Sequence, residues 1–172
     1  MKNQVRSLFL GYSKHFTVIL WICVFFAQSA FGQDGTTWLH FEGKSGPGKG
    51  KHIVLVSGDD EYRSEEALPM MAKILSQHHG FTCTVLFAID PATGNIKPDY
   101  QNNIPGLEHL RDADLMILFT RFRELPDEQT KYFEEYLLSG KPIIGIRTAT
   151  HAFHYGKNKT SPYFKYHWQN PE

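Results

Sequence analysis

The chain has 172 residues, 41% hydrophobic and 14% aromatic, with 18 basic and 18 acidic side chains. That apolar content suffices for one globular domain with a real core. The even charge balance excludes the basic surface of a nucleic-acid-binding protein, so no nucleic-acid partner is predicted.

The N-terminus reads as a targeting segment. Lys2, Arg6 and Lys14 precede an uninterrupted apolar run, Phe16–Phe26, and Ala27–Gly32 supplies small residues for a cleavage point after Ala30 or Gly32. This is the pattern of a secretory signal peptide over residues 1–32, with a long basic region, and it predicts an exported protein, periplasmic or secreted. An uncleaved membrane anchor is the rival reading, although the run is short of the ~20 residues that a full span needs. After cleavage no membrane contact is expected. Three of the 18 basic residues and none of the acidic ones precede residue 33, so the remaining chain carries a net charge of −3. Cys23 lies inside the apolar run and Cys83 is then alone, which precludes an intramolecular disulfide. Cys83, in FTCTVLFAI, reads as a small buried hydrophobe.

Residues 33–50 are predicted as a lead-in and linker, because EGKSGPGKG holds four glycines and a proline. His52–Val56 is the first predicted buried strand, followed by the polar loop Gly58–Arg63. A helix is predicted over Glu65–His79, with Leu68, Met71, Ala72 and Leu75 on one face, Pro69 near its first turn and Gly80 as its stop. Phe81–Ile89 is the second strand, then a long loop, Asp90–Asn103, and a short helix, Ile104–Arg111. Ala113–Thr120 is the third strand. Pro126 opens a helix to Ser139, with Asp127 and Glu128 at its positive end. Lys141–Ile146 reads as a fourth strand buried on both faces. Strands alternating with helices at this spacing predict an α/β fold, a doubly wound and mainly parallel sheet with helices on both faces. Tyr155–Glu172 is polar and aromatic and shows no strand pattern.

Ligands of open α/β sheets bind past the carboxyl ends of the strands. The first strand delivers Asp59, Asp60, Glu61, Tyr62 and Arg63 there, the third Arg121 and Arg123, and the fourth Arg147, Thr148, Thr150 and His151, with His154 further on. Guanidiniums beside carboxylates and a histidine suit an oxygen-rich or anionic small molecule, since arginine grips carboxylate bidentately and acids accept from hydroxyls. His151 and Arg147 are the candidate catalytic residues. Asp59, Glu61, Arg63, Arg121, Arg123 and Thr148 are the candidate substrate contacts. Plainer roles compete: Asp59–Arg63 as a solvated loop, Arg121 and Arg123 as partners of Glu124 or Asp127, and His151 as a turn residue. No HExxH, CxxC, GxGxxG or Walker pattern occurs, so neither a metal nor a cofactor is predicted.

The segments HIVLVSGDDEYRSEEALPMMAKIL, ADLMILFTRFRELPDEQ and GKPIIGIRTATHAF, in this order, resemble the ThuA-like (trehalose utilisation) family, and the resemblance covers roughly residues 41–155. It implies a ThuA-like domain over residues 51–172 with the fold of class I glutamine amidotransferases, flavodoxin-like, and a sheet that continues past residue 172. It also implies an exported, planctomycete-type version of the family. True amidotransferases place a nucleophilic cysteine at the elbow in a Gly-Ile-Cys-x-Gly-His pattern; here Gly145-Ile146 is followed by Arg147, which cannot be a nucleophile. The resemblance therefore implies a role in carbohydrate utilisation or processing without glutamine amidotransferase activity. A binding module for a sugar or anionic metabolite, or a scaffold domain, is the alternative, and whether the chain is an enzyme stays open.

Overall fold

The computed structural model describes residues 35–170. The predicted signal segment, its cleavage point and Cys23 lie outside the described residues.

Five strands form one sheet: β1 (Leu39–Phe41), β2 (His52–Gly58), β3 (Thr82–Leu86), β4 (Leu115–Thr120) and β5 (Ile143–Gly145). Their spatial order is β1-β3-β2-β4-β5, and every pairing is parallel except that of β1 with β3. The register sets Ile53 opposite Cys83 and Leu115, and Val56 opposite Leu86 and Leu118. Helix α1 (Ser64–His79) follows β2, and α2 (Asp127–Leu138) follows β4. Short 3-10 turns cover Leu107–Asp112, Arg147–His151 and Phe164–Tyr166.

Period-two alternation divides the core between the two faces of the sheet. Ile53, Leu55, Cys83, Val85, Ile117 and Phe119 pack with Leu68 and Ala72 of α1. Val54, Val56, Leu86, Met116 and Leu118 pack with Phe133 and Tyr136 of α2 and with Leu107 and Leu110. β2 and β4 are covered on both sides, which explains why they read as continuous apolar runs.

Several expectations shift. β1 falls inside the predicted lead-in, where LHF is too short to carry a strand pattern; it forms because β3 offers it an antiparallel partner. The glycine-rich stretch after it is packed rather than a free linker. Gly80 ends α1 in the left-handed region at φ 78°, and a Cβ there would come within 2.5 Å of the Ser45 backbone. The second strand ends at Leu86 rather than Ile89, although Phe87, Ala88 and Ile89 still alternate between the two cores. Pro69 is the sixth residue of α1, in the second turn and not the first, so the Glu65 carbonyl loses its helical partner.

β5 is the largest correction. It spans three residues and pairs on one side only among the described residues, and Ile143 and Ile144 are 39% and 49% exposed rather than buried on both faces. It stands at one end of the order, as β1 does at the other, so apolar composition alone did not bury it.

Candidate functional site

β2, β4 and β5 run parallel, so the loops that follow them emerge at one edge of the sheet. Each of these loops holds a non-glycine residue in the left-handed region: Arg63 at φ 55°, Phe122 at φ 53° and Arg147 at φ 49°. Such conformations cost about 1–3 kcal/mol each and persist where the surroundings over-determine them. Those surroundings are visible. Phe122 and Arg123 donate their backbone N–H groups to the carbonyls of His151 and Ala152 at 3.1 and 2.7 Å, and His154 returns one to Arg123 at 2.9 Å. Arg121 donates its own to Gly58 at 3.0 Å.

Asp59 is the hub of the edge. It is fully buried, and its Oδ1 accepts the backbone N–H groups of Glu61 and Tyr62 at 2.8 and 2.6 Å. Its Oδ2 accepts the Thr148 hydroxyl. Ser64 Oγ takes the Asp59 backbone N–H at 2.9 Å. With its oxygens thus engaged, Asp59 shapes the loop rather than facing solvent.

The four arginines separate. Arg121 bridges two carboxylates, with Nη1 3.3 Å from Asp60 and Nε 3.4 Å from Glu61, and its guanidinium lies 4.5 Å over the Phe122 ring. Arg147 is exposed and stacks 3.8 Å over the Tyr62 ring. Arg123 is 0% exposed, crossing the space beside Gly58 to donate to the carbonyls of Arg121 and Tyr100 at 2.8 and 3.0 Å. Burial pulls its pKa down to about 10 against the pull of Asp60, Asp59 and Asp99, so it stays charged at neutral pH. Arg63 turns away from the cleft and pairs with Glu66 on α1. Neither Arg121 nor Arg123 uses Glu124 or Asp127: Glu124 accepts the backbone N–H groups of Lys157 and Asn158, and Asp127 accepts from Ser161. Thr120 Oγ1, Arg121 Nε and Arg123 Nη2 are buried without a hydrogen-bond partner among the described residues. Arg121 Nε still faces the Glu61 carboxylate, so Thr120 Oγ1 and Arg123 Nη2 are the two groups of this turn left without a hydrogen-bond or ion-pair partner among the described residues.

His151 is half-buried, with Nδ1 3.1 Å from the Thr150 hydroxyl and its ring against Phe122 and Trp168, at centroid distances of 5.1 and 6.0 Å. The structure thus brings together Asp59 with Thr148, Arg121 with Glu61, and Arg147 with the same loop through Tyr62. His151 joins them through Phe122, while Arg63 and Arg123 sit apart from the open rim.

Sequence reasoning placed Tyr62 at this edge without giving it a role, and it missed Phe122 and Trp168. Only the Arg147 guanidinium over its ring singles out Tyr62, and only its left-handed φ and the Arg121 guanidinium over its ring single out Phe122. Trp168 lies in the aromatic tail, whose one signal was an excess of rings with no strand or helix period to occupy them.

Among the described residues no group of three or more His, Cys, Asp or Glu is placed to hold a metal ion. Cys83 is the second residue of β3, buried, with its thiol pKa pushed up to about 11 by desolvation. A groove of about 160 Å³ between Arg111, Tyr132, Glu135 and Lys141 lies at the opposite, amino-terminal end of β4 and β5. It shares no residue with this edge. No family model matches the chain, and neither a curated protein nor a solved structure matches it.

Proposed function

We propose that the carboxyl edge of the sheet binds an oxygen-rich small molecule of the carbohydrate class, and that the chain is an exported ThuA-like domain without glutamine amidotransferase activity. The doubly wound, flavodoxin-like arrangement of that family is part of the same reading. The observation that carries it is the elbow at Arg147. A left-handed residue two positions past a parallel strand projects its side chain at the mouth of the sheet, the geometry that α/β hydrolases use for a nucleophile. Here the projected group is a guanidinium, which binds oxygen and attacks nothing. The one cysteine among the described residues is buried on β3, with β2 and β4 standing between it and β5, and is protonated at neutral pH.

In this reading Arg147 and Arg121 orient ligand oxygens, Glu61 and Asp60 accept from hydroxyls, and His151 is the acid–base group if turnover occurs. A module that binds without turnover is favoured by one specific feature. Among the described residues no carboxylate orients the His151 ring; its polar partner there is the Thr150 hydroxyl. Calorimetry against disaccharides, keto-sugars and sugar acids, with turnover followed in parallel, tests both. Arg147→Lys keeps the charge and loses the fork, and it should weaken binding about tenfold or more. His151→Ala should abolish turnover at retained affinity in an enzyme, and change only affinity in a binding module. Wild-type affinity in Arg147→Lys would sink the assignment.

A further inference from the structure

Trp168 is 43% exposed, which by itself is unremarkable for a single surface ring. Its setting is not that of a stray residue. The indole Nε1–H donates to His154 Nδ1 at 3.0 Å, and the Trp168 backbone N–H donates to the Phe153 carbonyl at 3.0 Å. The neighbouring His167 accepts the Tyr155 N–H on its Nδ1 at 3.1 Å, pinning the preceding turn of chain. The ring is therefore oriented by a side-chain bond at its polar edge and by the backbone beneath it. It stands 5.7 Å from Phe122 and 6.0 Å from His151, and Phe122 in turn carries the Arg121 guanidinium on its other contact. An exposed, pre-oriented aromatic surface thus runs directly into the arginine and carboxylate rim.

Resting on the reading of this edge as a carbohydrate site, we infer that Trp168 is its specificity-determining platform, oriented by His154, and that the ligand is a cyclic pyranose sugar. A pyranose ring offers one flat face of C–H groups and an equator of hydroxyls. The first matches an indole that has spent its only polar group on His154, and the second matches Arg121, Glu61 and His151 beside it. Holding the ring in place beforehand lowers the ordering cost of binding. An acyclic polyol carries the same hydroxyls but has no flat face to set against the indole. His154 is a positioning residue here: it acts through Trp168.

The test uses the whole chain and follows tryptophan emission and calorimetry with maltose and cellobiose, against sorbitol as the acyclic control. The disaccharides should perturb the emission and sorbitol should not. Trp168→Ala should weaken disaccharide binding about tenfold, as loss of a central aromatic contact does, while Trp168→Phe retains part of the affinity. His154→Phe should lower affinity a few-fold and shift the Trp168 emission. It leaves the ring in place, so a purely structural role would not move the signal. A matching thermal transition in each variant shows that the fold persists. Disaccharide binding that falls in Arg147→Lys and stays at the wild-type level in Trp168→Ala overturns the platform and leaves the site standing. Failure of both disaccharides to bind the wild-type chain overturns the platform together with the reading beneath it. Equal binding of sorbitol overturns the pyranose assignment.

Discussion

The Thr148 hydroxyl donates to the Asp59 carboxylate across 89 positions of sequence, tying the elbow after β5 to the loop after β2. Both side chains are buried, and the same carboxylate orders the Glu61 and Tyr62 amides. One aspartate thereby couples a strand at one end of the sheet to its central one, and the Tyr62 ring it positions is the one on which Arg147 stacks.

Asp59→Ala should therefore cost about 2 kcal/mol of unfolding free energy, because it strands the buried Thr148 hydroxyl and two part-buried backbone N–H groups. Asp59→Asn keeps acceptor capacity for the amides and should cost about 1 kcal/mol. Urea titrations of the two variants measure this, and an alanine variant as stable as the asparagine one would contradict it.

Cys83 should be inert in the folded protein. The thiolate is the reactive form, and burial holds this thiol protonated, with its pKa pushed up to about 11. Iodoacetamide should leave the Cys83 peptide unmodified under native conditions and alkylate it in denaturant, as read by peptide mass mapping. Rapid native alkylation would reopen thiol chemistry in this chain.

Stability should fall on acidification. His52 is held below its ordinary 6.5 by burial and by the nearby His109 and His40, and His167 is likewise lowered by burial, His154 and Lys159. For both, the unfolded chain binds the proton more readily, so unfolding takes up protons and stability rises with pH through this window. The stabilisation is present above 6.5 and is lost as pH falls through the lower folded values. Melting temperatures should drop between about pH 7.5 and about pH 5.5, and His52→Gln should flatten that slope. A slope unchanged in the variant would remove His52 from the account.

The β5 edge should promote self-association. Ile143 and Ile144 are exposed on a strand that, among the described residues, is paired on one side only. Unpaired apolar edges template further pairing, and a lysine on them blocks it. Ile144→Lys should lower the light scattering of the concentrated protein with little loss of melting temperature. Unchanged scattering would place the sticky surface elsewhere.

β2, α1, β4 and α2 were legible in the residues because each carries a periodic signal that local burial must satisfy. Val54 and Ile53 alternate between two cores, Leu68 and Ala72 recur at helical spacing, and Gly80 has the freedom that the left-handed stop of α1 requires. The placement of polar groups at one edge also followed from sequence, since parallel strands send all their following loops the same way. What each of those groups does there was decided only by the tertiary structure. Arg121 and Arg123 are two residues apart and chemically identical, yet one bridges carboxylates at the rim and the other is fully buried beside Gly58. β5 looked as buried as β2, but burial belongs to a strand's neighbours in the sheet, and β5 has one among the described residues. Trp168 had no period to announce it; its place was set by a hydrogen bond to His154 and by packing against Phe122, contacts between segments that no local pattern encodes.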